Sequence, residues 1–141
     1  MIQKSASATW SGSLKDGGGT ISTGSGVMAS APFTFATRFE QARGTNPEEL
    51  IGAAHAACYS MFLSALMGGA GITPEQITTT STITLDPTTP GSPTVTKAHL
   101  VTTIKAPADA AKVHDLAAQA KEGCPISKLL KAEITLEVKL G

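Results

Sequence analysis

The sequence predicts an α+β fold: an antiparallel sheet with a long buried central helix and a second helix packed on it. Three observations carry this prediction. The first forty residues, and later the stretches 76–85, 94–104 and 132–140, read as strands, with two-residue alternation in several of them. A stretch without acidic or cationic charge, Leu50 to Ile72, follows a helix-start signal. A second helical stripe begins after Asp109. The order β-β-β-α-β-β-α-β fills 141 residues, one domain's worth of chain spanning 1–141.

Residues 5–10 alternate, placing Ala6, Ala8 and Trp10 on one face. Asp16-Gly17-Gly18-Gly19 reads as a hairpin turn and Gly24-Ser25-Gly26 as another. No GK[ST] follows the three glycines, so they do not form a phosphate loop. In the segment PFTFATRF a third strand is expected, with Phe33, Phe35 and Phe39 on one face and Thr34, Ala36 and Arg38 on the other. Thr45 or Asn46 can cap the central helix; Pro47 fits its first turn, and Glu48 and Glu49 complement its positive end. Ile51, Ala54, Cys58, Met61, Phe62 and Ala65 fall on one stripe, taken as the buried face, and Gly68 to Gly71 end the helix. Strands over 76–85 and 94–104 flank a loop with Pro87, Pro90 and Pro93, the second strand alternating at Ala98, Leu100, Thr102 and Ile104. Asp109 opens the next helix, with the stripe Ala110, Val113, Ala117 and Ala120 and an end near Gly123. Cys124-Pro125 begins a short turn or helix, and a last strand carries Ile134, Leu136, Val138 and Leu140 on one face.

Composition narrows the function. Eleven Lys and Arg balance eleven Asp and Glu, so no strong field draws nucleic acid or an anionic membrane. Leu50–Ile72 is long enough to span a bilayer, but it is rich in Ala and Gly, contains His55, Ser60 and Ser64, and lacks cationic flanks. A buried helix is the better reading. The start MIQKSASATW lacks the apolar run of a secretory signal, so a cytoplasmic chain is expected. Two cysteines and three scattered histidines give no metal-ligand spacing and no cofactor motif.

By periodicity alone Cys58 is either a small core hydrophobe or a reactive thiol. Cys124 lies between Gly123 and Pro125, where it can cap a short helix with Lys128 one turn on, and both features favour a thiolate. His55 lies three residues before Cys58, but adjacent places on one helix leave little room for substrate between base and nucleophile. It reads as a packed, hydrogen-bonded structural histidine. His99 and His114 carry no signal, and the helix dipole alone accounts for Glu48 and Glu49.

The segment Thr37-Arg38-Phe39-Glu40 and the run from Gly44-Thr45-Asn46-Pro47 through Glu48-Glu49-Leu50-Ile51-Gly52 to Ala53-Ala54-His55-Ala56-Ala57-Cys58 resemble the central signature of the OsmC/Ohr family of thiol-dependent hydroperoxide reductases. Gly123-Cys124-Pro125-Ile126-Ser127 and Lys131 to Leu136 are similar to that family's second cysteine motif and last strand, so the resemblance covers the chain nearly end to end. It implies a single OsmC-like domain. Cys58 would be the peroxidatic nucleophile and Cys124 the resolving thiol. Arg38 would activate the thiolate and orient the peroxide, and Glu48 would hold that arginine. Arg38 in Thr-Arg-Phe-Glu resembles the OsmC branch; near the N-terminus, where the Ohr branch keeps its arginine, the chain has only Lys15.

The implied reaction uses no cofactor. A thiolate attacks the terminal oxygen of an organic hydroperoxide, an alcohol leaves, and Cys58 becomes a sulfenic acid. Hydrogen peroxide would be a weaker substrate. Cys124 condenses to a disulfide, which a dithiol of lipoyl or thioredoxin type reduces. A non-enzymatic redox sensor using the same disulfide is the alternative, disfavoured because no DNA-binding element or basic patch accompanies the cysteines. Glu48 and Cys58 lie ten residues apart on one helix, about 15 Å of rise. If both serve one site, Glu48 must come from a second copy, so an isologous homodimer with two shared sites is expected. The resemblance likewise implies an intertwined dimer.

Overall fold

The structure, a computed structural model, describes residues 1–141 and forms two compact units, Met1–Leu50 and Ile51–Gly141. In the first unit, strands β1 (Ala6–Ser11), β2 (Gly18–Thr23) and β3 (Ala31–Phe33) form an antiparallel sheet in the order β1-β2-β3. The first turn falls at 14–16, earlier than expected, and Gly18 and Gly19 lie in β2; the second falls at the Gly24–Gly26 stretch as expected. The Gly17 N–H donates to Ser13 O at 2.9 Å, and the Gly26 N–H donates to Thr23 O at 2.9 Å with Gly26 at φ +78. Trp10 and Phe33 lie opposite Gly19 from its two sides. Gly19 has no side chain, so the two rings approach to 5.3 Å between centroids. A Cβ at Gly19 would come within 2.5 Å of the Phe33 ring.

The third strand ends at Phe33, earlier than expected. Residues Phe35–Phe39 form a short helix, α1. Thr34 takes extended backbone and caps it: its hydroxyl accepts the Thr37 N–H at 3.2 Å while the Thr37 hydroxyl accepts the Thr34 N–H at 2.9 Å. Helix α2 (Pro47–Gly69) starts in this unit, with Asn46 Oδ1 accepting the Glu49 N–H at 2.9 Å. Asn46 also donates from Nδ2 to Thr37 O at 3.1 Å, which ties the start of α2 to α1.

In the second unit, β4 (Gln76–Asp86), β5 (Thr94–Lys105) and β6 (Glu133–Leu140) form a sheet in that order. β4 and β5 pair antiparallel, whereas β6 runs parallel to β5, so the sheet is not the wholly antiparallel one expected. A parallel neighbour requires a crossover. Helices α3 (Ala110–Gly123) and α4 (Pro125–Leu129) supply it. Asp109 caps α3, its side chain accepting the Lys112 N–H at 3.0 Å. The core joins Tyr59, Leu63 and Met67 of α2 to Leu100 and Ile104 of β5 and to Val113, Leu116, Ala117 and Ala120 of α3. Ala98, Leu100, Thr102 and Ile104 are the buried positions of β5, as their alternation requires.

The α+β class stands, but α2 is buried on another stripe than expected. Gly52, His55, Tyr59, Leu63 and Met67 face inward, while Ala54, Met61 and Ala65 are exposed and Cys58 is half-buried. The helix is apolar nearly all round, so its hydrophobic pattern leaves the phase open. It is long and apolar enough to cross a membrane, and only 28% of its most apolar stretch is buried.

Candidate active site

In the first unit α1 places Arg38 and α2 places Glu48, and the two side chains pair. Arg38 Nη2 donates to Glu48 Oε1 at 2.7 Å, and Arg38 Nε lies 3.1 and 3.2 Å from the two carboxylate oxygens. Two guanidinium nitrogens thus engage one carboxylate, which fixes the plane of the fork. The Glu48 side chain is 14% exposed and that of Arg38 37%, so the guanidinium keeps an accessible edge. That edge borders a cavity of about 270 Å³ lined by Trp10, Leu14, Phe33, Phe35, Phe39 and Pro47. Helical spacing puts Phe35, Arg38 and Phe39 on one side of α1, where a strand would have turned Arg38 away from the rings. The Phe35 and Phe39 centroids are 4.9 Å apart, and the guanidinium stands 5.3 Å from the Phe39 centroid.

In the second unit α2 presents Cys58, and Cys124 sits at the start of α4. Both are free thiols. They face each other: the Cys124 side chain and the Ile126 backbone N–H are the polar groups that act on the Cys58 sulfur. Cys124 is 0% exposed and part of the core, whereas Cys58 opens into an apolar groove formed by Ala54, Met61, Phe62, Ala65, Pro125 and Ile126. Burial pushes the Cys58 thiol up from its ordinary value, the Cys124 contact pushes it further, and the Ile126 N–H pulls it partly back. No cation of the second unit offsets that rise. Cys124 is the N-cap residue of α4 but makes no side-chain cap bond.

His55 lies in the core, its Nδ1 at 2.9 Å from Ser81 Oγ of β4 and its Nε2 at 2.8 Å from Ser127 Oγ of α4. Burial lowers its pKa, favouring the neutral ring. Both nitrogens are engaged, so His55 is not a free base for Cys58. Ser81 carries no motif of its own, whereas His55 and Ser127 lie within the two segments that carry the family resemblance, which implied no role for either. Tyr59, also fully buried, donates its hydroxyl to Ala117 O at 3.0 Å, and burial together with the nearby Cys124 raises its pKa. The structure therefore pairs Arg38 with Glu48 and Cys58 with Cys124.

Comparison with known proteins adds three findings. The family described as OsmC-like protein matches residues 40–139. The chain is 50% identical over 140 residues to the peroxiredoxin OsmC of Escherichia coli (strain K12), covering 99% of this chain and 97% of that protein. Among solved structures, the organic hydroperoxide resistance protein OhrB of Bacillus subtilis superposes with a TM-score of 0.72 at 25% identity over 97% of this chain and 98% of that one. An organic hydroperoxide resistance protein OsmC from Legionella pneumophila shares the fold at a TM-score of 0.74 and 22% identity, over 100% of this chain and 99% of its own.

Proposed function

Because the chain belongs to the OsmC-like protein family, we propose that it is a thiol-dependent peroxidase that reduces organic hydroperoxides to alcohols. One observation carries the reading: a half-buried thiol, Cys58, opens into an apolar groove with a second, unbonded thiol directly behind it. The Cys58 thiolate attacks the terminal peroxide oxygen; an S–O bond forms, the O–O bond breaks, and the alkoxide leaves as alcohol after taking a proton. Cys124 then closes the disulfide with loss of water, and a dithiol restores both thiols in a reducing, cytoplasmic setting. The apolar linings beside Cys58 and beside Arg38 suit an alkyl chain better than they suit hydrogen peroxide.

The working form is a homodimer in which Arg38 and Glu48 of one copy serve Cys58 and Cys124 of the other. Three facts support it. Helix α2 is unbroken, so the rise of about 15 Å between Glu48 and Cys58 holds. Its apolar outer face is uncovered, with Met61 76% exposed. Cys58 has a raised pKa and lacks a cation, which an arginine from a second copy would supply. Each copy acts as a single OsmC-like domain over 1–141, and the Legionella protein aligns across all of it.

The test is peroxide consumption by two variants. Cys58→Ser should consume none, because a hydroxyl cannot replace a thiolate at neutral pH. Cys124→Ser should consume about one equivalent and stall as a sulfenic acid. A first turnover kept by Cys58→Ser and lost by Cys124→Ser would reverse the roles.

A further inference from the structure

Four residues on α2 and α4 meet in antiparallel register. On α2, His55 precedes Cys58 by three residues; on α4, Ser127 follows Cys124 by three. Cys58 faces Cys124 and His55 Nε2 reaches Ser127 Oγ at 2.8 Å, so the two contacts lie about one helical turn apart along the same pair of helices. The Ile126 N–H, directed at the Cys58 sulfur, falls between them. Helix α4 has only five residues, and its N-cap makes no side-chain cap bond, so it depends on its docking for position. The ring that docks it is held from the other side by Ser81 of β4. A neutral imidazole has one donor and one acceptor nitrogen, so the ring donates to one serine and accepts from the other.

We propose that His55 and Ser127 are positioning residues for disulfide formation: their hydrogen bond sets the register of α4 on α2 and keeps the Cys124 sulfur beside the Cys58 sulfur. The inference rests on the peroxidase reading above. In the step concerned, the Cys124 sulfur attacks the sulfenic sulfur of Cys58. An S–S bond forms and the S–O bond breaks; the oxygen leaves as water with the proton of the Cys124 thiol. Cys124 is oxidised as Cys58 is reduced from sulfenic acid to disulfide. Attack on peroxide feels α4 only through the opposed effects of Cys124 and the Ile126 N–H on the Cys58 thiol, whereas resolution depends wholly on where α4 holds Cys124.

The test separates positioning from mere stability, because the ring makes two hydrogen bonds and only one reaches α4. Peroxide is mixed rapidly with wild type, Ser127→Ala and Ser81→Ala. Sulfenic acid is trapped with dimedone over time, and disulfide and over-oxidised Cys58 are counted by mass. Ser127→Ala should lengthen the sulfenic acid lifetime about five-fold or more, the scale of one buried hydrogen bond, and raise over-oxidation per turnover. Its attack rate should stay within about two-fold of wild type, and Ser81→Ala, which loosens the ring but leaves its bond to α4, should slow resolution less than Ser127→Ala does. Resolution at the wild-type rate in Ser127→Ala, or equal slowing in Ser81→Ala, would overturn the proposal. Should Ser127→Ala not fold, His55→Asn and His55→Gln replace it. Asparagine keeps a group near Nδ1 for Ser81 and should resolve slowly; glutamine keeps one near Nε2 for Ser127 and should resolve near the wild-type rate. The reverse order would overturn the proposal. A wild type that forms no Cys58–Cys124 disulfide would instead remove the peroxidase reading itself.

Discussion

Arg38 presents two nitrogens to Glu48 and still keeps a free edge beside an apolar cavity. A lysine in its place would offer a point charge, unable to hold a carboxylate and a peroxide in one plane. The sign of the effect proposed for Arg38 on Cys58 follows from the forces already on that thiol. Burial and Cys124 raise its pKa, so without a cation the reactive thiolate is reached only at higher pH. Arg38→Ala should therefore move the rate–pH profile of attack to the alkaline side. At any pH below the thiol pKa, the thiolate fraction falls about ten-fold for every pH unit that separates the two. The loss is therefore largest at neutral pH and recovers as pH rises. Arg38→Lys should recover little. Arg43→Ala, which removes an arginine outside any ion pair, serves as the control. Thiolate absorbance and stopped-flow rates across pH measure this, and an unchanged profile in Arg38→Ala would exclude the arginine from activation.

At the scale of elements, α2 sits close to β4 because Gly52 has no side chain. A Cβ there would lie 2.7 Å from the Ser81 carbonyl oxygen, backbone that cannot swing aside. Gly52→Ala should destabilise the protein by about 1–3 kcal/mol through overpacking. Gly68→Ala, where a Cβ meets nothing within 4 Å, should stabilise it slightly, by about 0.4–1 kcal/mol. Thermal unfolding of the pair checks both signs. The elements were unequally legible in the sequence. β5 and α3 were plain because each has one apolar face, although on α3 Leu116 was overlooked and Ala110, counted in the stripe, is exposed. The buried stripe of α2 was misplaced because a helix with alanine on most sides gives no preferred phase. Phe35 and Phe39 share a side in either a strand or a helix, so only the Thr34–Thr37 cap revealed α1. The cysteines and Arg38 with Glu48 were legible through family resemblance. The His55–Ser127 bond was not, because it joins residues 72 apart in sequence and the resemblance, though it covers both, implied no contact between them.

For the whole molecule, the decisive question is which chain completes which site. Glu48→Ala chains and Cys58→Ser chains refolded together should form heterodimers in which one site has intact Glu48 from one copy and intact Cys58 from the other. The second site carries both lesions. Peroxide turnover should rise above that of separately refolded controls, given that Glu48→Ala alone is impaired. No gain with heterodimers confirmed by mass would mean that each site is built within one chain. The apolar face of α2 is largely exposed in one copy, so if the proposed dimer covers it, folding becomes a matter of mass action and the unfolding temperature should climb with protein concentration. Met61→Glu should flatten that dependence.

The complete enclosure of Cys124 decides which half of the oxidised pair an incoming reductant meets. A disulfide has two electrophilic sulfurs, and the one attacked is set by access as well as by the leaving group. The Cys124 sulfur lies inside the core, while the Cys58 sulfur borders the open groove. An external thiolate should therefore add at Cys58 and expel Cys124 as the departing thiolate, so that the mixed disulfide is carried on the helix that began the reaction. A reductant with one of its two thiols replaced by serine should become trapped on Cys58 and leave Cys124 free. Peptide mass mapping reads the site directly, and a trapped adduct on Cys124 would show that α4 opens to solvent once the disulfide has formed.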